Sequence, residues 1–188
     1  VYAISKVFAY HSVIHYRDAY GLHACNGILF NHESPRRGVN FVTKKIVQGL
    51  IRIKQGKQKF LILGNLYSRR DWGHAIDYVE SMWKILQQKK GNDFVIATKT
   101  SNSVKDFVNI CAKKLNIKLI WKYKGLKEIG INKLTKKTII KVDKKYFRET
   151  EVDNLIGDFT KARKLLRWKP KYSLDKLIDD MINNELDD

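Results

Sequence analysis

Apolar positions along the chain fall into a few clear periods, and these predict its elements. From Tyr2 to Tyr20 the pattern is helical, and it stops at Gly21, a residue suited to a left-handed C-cap. The helix carries Val7, Phe8, Tyr10, Val13, Ile14, Tyr16 and Tyr20 on several faces, which predicts cover on more than one side. One face is expected on a sheet and another against a neighbouring subunit, with burial inside the chain as the alternative. Leu22 to Phe30 is a β-rich run that ends abruptly in the polar packet Asn31 to Gly38. That shape predicts a buried strand delivering a loop to the carboxyl edge of a sheet, where open α/β folds place ligands. Val42, Ile46, Leu50 and Ile53 make an apolar stripe that predicts an amphipathic helix over Asn40 to Gln55.

The rest of the chain alternates in the same way. Phe60 to Leu63 predicts a short strand, followed by a turn, a Trp72–Gly73 corner and a helix to Gln88. Asp93 to Thr98 predicts a buried strand. Ser103 with Asp106 resembles a capping box that opens a helix through about Leu115. Ile117 to Lys122 and Thr138 to Val142 predict strands joined by a loop rich in lysine, with no evident chemistry. Thr160 to Leu166 predicts a short helix ending at Trp168 to Pro170, and Ser173 or Asp175 caps a last helix bearing Leu174, Leu177, Ile178 and Met181.

Composition narrows the class. The 188 residues, 44% hydrophobic and 11% aromatic, are enough for a real core and exclude disorder. No apolar run nears the roughly 20 residues that span a bilayer, and no signal-peptide pattern opens the chain. Isolated Cys25 and Cys111 in apolar surroundings read as reduced core residues of a cytoplasmic protein. A net charge of +18 invites a nucleic-acid reading, but only nine of the 37 basic residues are arginine. The lysines are scattered with little aromatic interleaving, the mark of a solvated surface, so neither nucleic acid nor membrane is expected as a partner. Repeats, low-complexity tracts and metal-spaced His/Cys clusters are not found; His11, His15, His23 and His74 read as core or surface residues, and no metal is expected.

Three patterns carry candidate chemistry. Tyr2 and Lys6 lie four apart and emerge on one helical face. A phenol with pKa near 10 is a poor base at neutral pH, and a nearby ammonium favours its phenolate. Pro35 and Gly38 bracket Arg36 and Arg37 on a constrained loop, and arginine's flat fork suits phosphate. Arg70 stands beside Asp71, either as a hairpin salt bridge or as a further phosphate ligand.

In combination these stretches resemble a known family. Tyr2-x-x-x-Lys6 on a helix matches the working pair of the short-chain dehydrogenase/reductase superfamily. Tyr16-Arg17-x-Ala19-Tyr20, the run Ala24 to Gly38 and Phe41-Val42-Thr43-x-Lys45-Ile46 are similar to GDP-mannose 4,6-dehydratases, as is the block Gly64 to Val79. The resemblance implies an α/β fold in which the C-terminal part of a Rossmann-like parallel sheet interleaves with a small α/β substrate domain. Residues 1–39 would end the NADP-binding domain and residues 40–188 would form mainly the GDP-sugar domain, with 71–98 returning to the first. It implies NADP as cofactor, GDP-mannose as substrate, the product GDP-4-keto-6-deoxymannose, and a homo-oligomer. Tyr2 and Lys6 would be catalytic and also contact the cofactor, together with His32 and Arg37, Arg37 facing the 2′-phosphate. Asn31, Val42, Lys45, Arg70, Arg148 and Glu151 would hold the GDP-sugar.

Two departures qualify the match. Glu149 stands where the family usually has proline, removing a conformational lock beside Arg148. The glycine-rich cofactor loop and the upstream Ser/Thr and Glu of the family are not found, so the chain reads as a C-terminal portion, starting at Val1, that does not turn over alone. Alternatives are a related nucleotide-sugar epimerase or dTDP-glucose dehydratase, a basic nucleic-acid module, or a gene remnant.

Overall fold

The computed structural model describes residues 1–147 and 152–187. In chain order the elements are α1 (Tyr2–Tyr20), β1 (Asn26–Leu29), β2 (Asn31–Glu33), α2 (Val42–Lys54), β3 (Leu61–Leu63), β4 (Arg69–Arg70), β5 (Trp72–His74) and α3 (Ala75–Leu86). There follow β6 (Asp93–Ile96), β7 (Asn102–Ser103), α4 (Val104–Lys114), β8 (Leu119–Lys122), β9 (Ile129–Asn132), β10 (Thr138–Val142), α5 (Thr160–Leu166) and α6 (Leu174–Asp187).

Two cores organise these elements. In the larger, Ile46, Val47 and Leu50 of α2 meet Leu61 and Leu63 of β3, Phe107, Val108 and Cys111 of α4, Ile140 of β10, and Leu177, Ile178 and Met181 of α6. Its sheet runs β3-β10-β9-β8, with β10 parallel to β3 and antiparallel to β9. The smaller core packs Tyr78 and Ile85 of α3 with Phe94 and Ile96 of β6, Ala162 and Leu166 of α5, and Trp168. There β1 runs parallel to β6 in the register Asn26↔Asp93 to Leu29↔Ile96. Burial lifts the Cys111 thiol to about 12, so it is inert filling, while Cys25 is half-buried at the edge of the smaller core.

Most predicted helices form where their periods place them, and their ends are chemical. Gly21 closes α1 with φ 66°. Ser103 accepts from the Asp106 backbone N–H at 3.0 Å while Asp106 accepts from the Ser103 N–H at 2.9 Å, a full capping box on α4. His74 caps α3, its Nδ1 accepting from the Ile76 N–H at 3.1 Å.

Three expectations are corrected. The packet after Phe30 does not open as a loop: Asn31–Glu33 is β2, parallel to β5 in the register Asn31↔Trp72 to Glu33↔His74. The chain thus changes partner at Phe30, whose N–H still bonds to Ile96 O at 3.0 Å. Second, the stretch between β8 and β10 holds a strand, β9. Gly130 allows it, since a Cβ there would lie 2.9 Å from Ile140. Third, no residue of α1 is buried. Its apolar first half stands clear of the sheet, and its second half is tied by polar groups, Arg17 gripping Asp93 at 2.9 and 3.2 Å. This bidentate ion pair docks the helix together with the half-buried side chains of Tyr10, Val13 and Ile14.

Candidate functional site

The alternation of β2 sorts the first set of candidate residues. Side chains two apart on a strand share a face, and Asn31 and Glu33 line a cleft of about 650 Å³ while His32 points away from it. His32 stacks on Tyr78 with ring centroids 4.9 Å apart, and its Nδ1 lies 2.9 Å from Phe30 O. That bond makes Nδ1 the donor and leaves Nε2 as the acceptor.

Glu33 is the buried charge of the cleft, 2% exposed. Its Oε2 accepts from Thr43 Oγ1 at 2.6 Å and pairs with Arg37 Nε at 3.1 Å. Burial pushes the Glu33 carboxyl above its ordinary range, and the Thr43 hydrogen bond and Arg37 charge oppose that push. The turn between them is closed by the Arg37 N–H bonding to Ser34 O at 3.0 Å. Lys44 fastens the same turn, donating to Pro35 O at 3.0 Å while pairing with Glu185 of α6 at 2.6 Å.

The next wall is the start of α2. Its N-cap, Phe41, makes no side-chain cap hydrogen bond among the described residues, and the helix opens at the cleft, with Val42 in the lining. The ring of Phe41 lies under the Arg37 guanidinium, 3.4 Å from its central carbon. Lys45 sits one turn in, its ammonium 3.9 Å from the centre of the Tyr146 ring, and burial lowers its pKa.

The far wall comes from the ends of β3 and β4. Gly64 passes against the backbone of Tyr146, where a Cβ would come within 2.2 Å of the carbonyl oxygen. Arg70 lines the cleft and donates to Val152 O at 2.6 Å and Arg69 O at 2.7 Å. Its neighbour Asp71 turns inward and is fully buried. Asp71 accepts from Thr98 N (2.8 Å), Thr98 Oγ1 (2.6 Å), Lys99 N (2.9 Å) and Gly157 N (3.2 Å). Ser68 is buried at the cleft wall, and its hydroxyl has no hydrogen-bond partner among the described residues.

Among the described residues, Arg37, Lys45, Arg70 and Lys145 thus line one cleft against the single carboxylate of Glu33. With Asn31 as an uncharged hydrogen-bonding group, the arrangement suits a polyanionic ligand with polar hydroxyls.

Of the residues singled out from sequence, the structure gathers Asn31, Arg37, Val42, Lys45 and Arg70 in this cleft. His32 lies on the other face of β2. Tyr2 and Lys6 stand on the exposed first turns of α1, outside the cleft lining, with the Lys6 ammonium 5.3 Å from the Tyr2 ring centre. Arg148 and Glu151 lie outside the described residues. Sequence reading passed over Glu33, Phe41, Ser68 and Tyr146. Glu33 was accessible through its i, i+2 relation to Asn31 had β2 been read as a strand, and Phe41 through its place at the N-cap of α2. Ser68 carries no local signal, because only packing brings it to the cleft, whereas Tyr146 starts a stretch that resembles the family and of which only Arg148 and Glu151 were singled out.

Comparison with known proteins places this geometry. The sequence model of the family described as GDP-mannose 4,6 dehydratase matches residues 1–181. GDP-mannose 4,6 dehydratase from Dictyostelium discoideum is 49% identical over 99% of this chain and 52% of its own length. GDP-mannose 4,6 dehydratase 1 from Arabidopsis thaliana is 50% identical over 99% of this chain and 47% of its own length. The chain therefore spans about half the length of these curated relatives. Among solved structures, RMD from Pseudomonas aeruginosa complexed with NADPH superposes with a TM-score of 0.80 at 16% identity, over 100% of this chain and 56% of that one. The dTDP-glucose 4,6-dehydratase from Bacillus anthracis in complex with NAD gives 0.76 at 16% identity, over 100% and 52%. Those two likenesses establish a shared α/β fold, and the sequence match settles the family: the chain belongs to the GDP-mannose 4,6-dehydratases.

Proposed function

We propose that this chain carries the sugar-nucleotide cleft and the proton-transfer helix of an NADP-dependent enzyme converting GDP-mannose to GDP-4-keto-6-deoxymannose and water. One observation carries the reading: Asn31, Arg37, Val42, Lys45 and Arg70, spread over a strand, a turn, a helix and a second strand, converge on one cationic cleft in a chain of this family. Arg70 would neutralise the diphosphate, and Asn31 and Lys45 would hydrogen-bond the sugar and base. Val42 opens the helix whose first N–H groups would add to the anion site.

The donor set fits NADP at the nicotinamide and phosphate ends. His32 keeps its Nε2 free because Nδ1 is spent on Phe30 O. Arg37 offers a guanidinium for the 2′-phosphate, and Lys6 and Tyr2 offer an ammonium and a phenol to the ribose. When bound, NADP supplies the hydride acceptor at C4 and the donor at C6 within one turnover. Tyr2 takes the proton of the C4 hydroxyl, and Lys6, one turn along α1, brings positive charge beside it. Arg37 shares the cleft lining with the substrate candidates, which supports a role for it where the two ligands would meet.

The same reading includes a homo-oligomer in the cytoplasm. Phe8 of α1 and Trp83 of α3 are 75% and 63% exposed, apolar surface available to a second copy or to the rest of a longer chain. Among the described residues no helix is long and apolar enough to cross a membrane.

Thermal unfolding in the presence of ligands tests the proposal. GDP-mannose at about 100 times its Kd stabilises a protein that binds it by about 2.7 kcal/mol. GDP-mannose and NADP are expected to raise the melting temperature, and UDP-glucose and duplex DNA are not. Stabilisation by DNA alone would sink the reading in favour of a basic binding module.

A further inference from the structure

Among the described residues, Glu33 is the odd group of the cleft lining, a carboxylate among Arg37, Lys45, Arg70 and Lys145. A buried negative charge facing a phosphate site weakens binding unless it does something else. The contacts of Arg37 say what that is. Its central carbon lies over the Phe41 ring, 3.4 Å from the ring centre, and its Nε lies 3.1 Å from Glu33 Oε2, an ion-pair contact without hydrogen-bond geometry among the described residues. Its backbone N–H is tied to Ser34 O at 3.0 Å. The Phe41 ring, the Glu33 charge and the turn backbone thus bear on Arg37 together, at a guanidinium that lines the cleft. Thr43 holds the other party, donating at 2.6 Å to the same Oε2 from the first turn of α2.

We infer that Glu33 is a positioning residue: it fixes Arg37 so that the guanidinium presents its terminal amino groups to the phosphate of a bound nucleotide. This rests on the nucleotide-site reading above. An arginine left free on a turn must lose its rotamer entropy on binding, whereas one already held by Glu33 and Phe41 has lost it in folding. The phosphate belongs either to the sugar nucleotide or to the 2′-position of NADP, and the two ligands separate these sources.

The sign of one substitution decides between positioning and simple repulsion. Glu33→Gln keeps an acceptor for Thr43 but removes the charge that attracts Arg37. If Glu33 only repels the anion, the variant binds nucleotide more tightly; if it positions Arg37, the variant binds more weakly. The experiment is a double-mutant cycle of Glu33→Gln and Arg37→Gln, with Kd measured by calorimetry for GDP-mannose and for NADP and thermal stability recorded for each variant. The expected result is a loss of about tenfold in affinity for one ligand in Glu33→Gln, a double variant no weaker than Arg37→Gln alone, and melting temperatures that do not track the losses. Loss confined to GDP-mannose assigns Arg37 to the diphosphate, and loss confined to NADP assigns it to the 2′-phosphate. Tighter or unchanged binding by Glu33→Gln, or losses that multiply in the double variant, overturns the inference while the nucleotide-site reading stands. Failure of the unaltered protein to bind either ligand overturns both.

Discussion

Replacing Asp71 by asparagine turns one carboxylate oxygen into an amide group and leaves the shape unchanged, so its effect isolates hydrogen bonding. Asp71 is fully buried and takes four donors, two on each oxygen: Thr98 N and Oγ1 on Oδ1, Lys99 N and Gly157 N on Oδ2. An asparagine with its oxygen toward Thr98 points N–H groups at two backbone N–H groups. In the flipped orientation the Thr98 hydroxyl can turn to accept, but the Thr98 N–H then loses its acceptor. At least one buried donor is left unpaired, at about 1–3 kcal/mol, and the surviving bonds fall from charge-assisted to neutral strength. Relief from burying a charge offsets part of this. The net loss is about 3 kcal/mol, which for a domain of this size lowers the melting temperature by about 10 °C. Urea unfolding followed by circular dichroism measures it directly, with m unchanged and the midpoint lowered. A loss under about 1 kcal/mol would refute the account, because the four short contacts would then be geometry without energetic weight. Thr98→Val, which deletes one of the four donors to Asp71 along with the exposed hydroxyl contacts to Thr100, should cost about 1 kcal/mol.

Other consequences are as direct. Arg17 holds the Asp93 carboxyl below its usual range, chiefly through their side-chain hydrogen bonds. A depressed carboxylate stabilises the fold above its unfolded value of about 3.9, and that contribution fades as the pH falls through the folded value. Arg17→Ala should therefore lower stability at pH 7 and flatten its decline in acid, read from unfolding midpoints between pH 7 and pH 2. Gly64→Ala puts a Cβ 2.2 Å from Tyr146 O, so the cleft wall must move; GDP-mannose affinity should fall at least tenfold, and unchanged calorimetric affinity would show the wall to be dispensable. Phe107→Ala empties a fully buried site in the larger core and should cost about 3–5 kcal/mol in unfolding free energy. Phe8→Asp with Trp83→Asp should shift a homo-oligomer to monomer in light scattering, and an unchanged mass would remove α1 and α3 from its interface.

Part of the site was readable from local chemistry, the arginines on the turn between Pro35 and Gly38. Asn31, Val42 and Lys45 came only from the family resemblance. The harder residues are those whose neighbours are remote in sequence. Ser68 and Tyr146 reach the cleft only because β3 and β10 pair and carry the following turns to the same edge. Glu33 was within the recognised motif, yet its role depended on whether Asn31–Glu33 formed loop or strand, since strand alternation alone separates Glu33 from His32.

By itself the sequence determined what short-range chemistry dictates: the helices with a clear 3.6 period, the left-handed stop at Gly21 and the capping box at Ser103. The long match from Ala24 to Gly38 also gave the family. Pairing was decided only in three dimensions. Three residues such as Asn31–Glu33 have no pattern long enough to name a partner strand, and β9 exists because Gly130 admits Ile140 from the neighbouring strand. The tertiary structure likewise decided that α1 is held by Arg17 and Asp93 while its apolar first half stands open, because hydrophobic periodicity records that a face is to be covered but not by what.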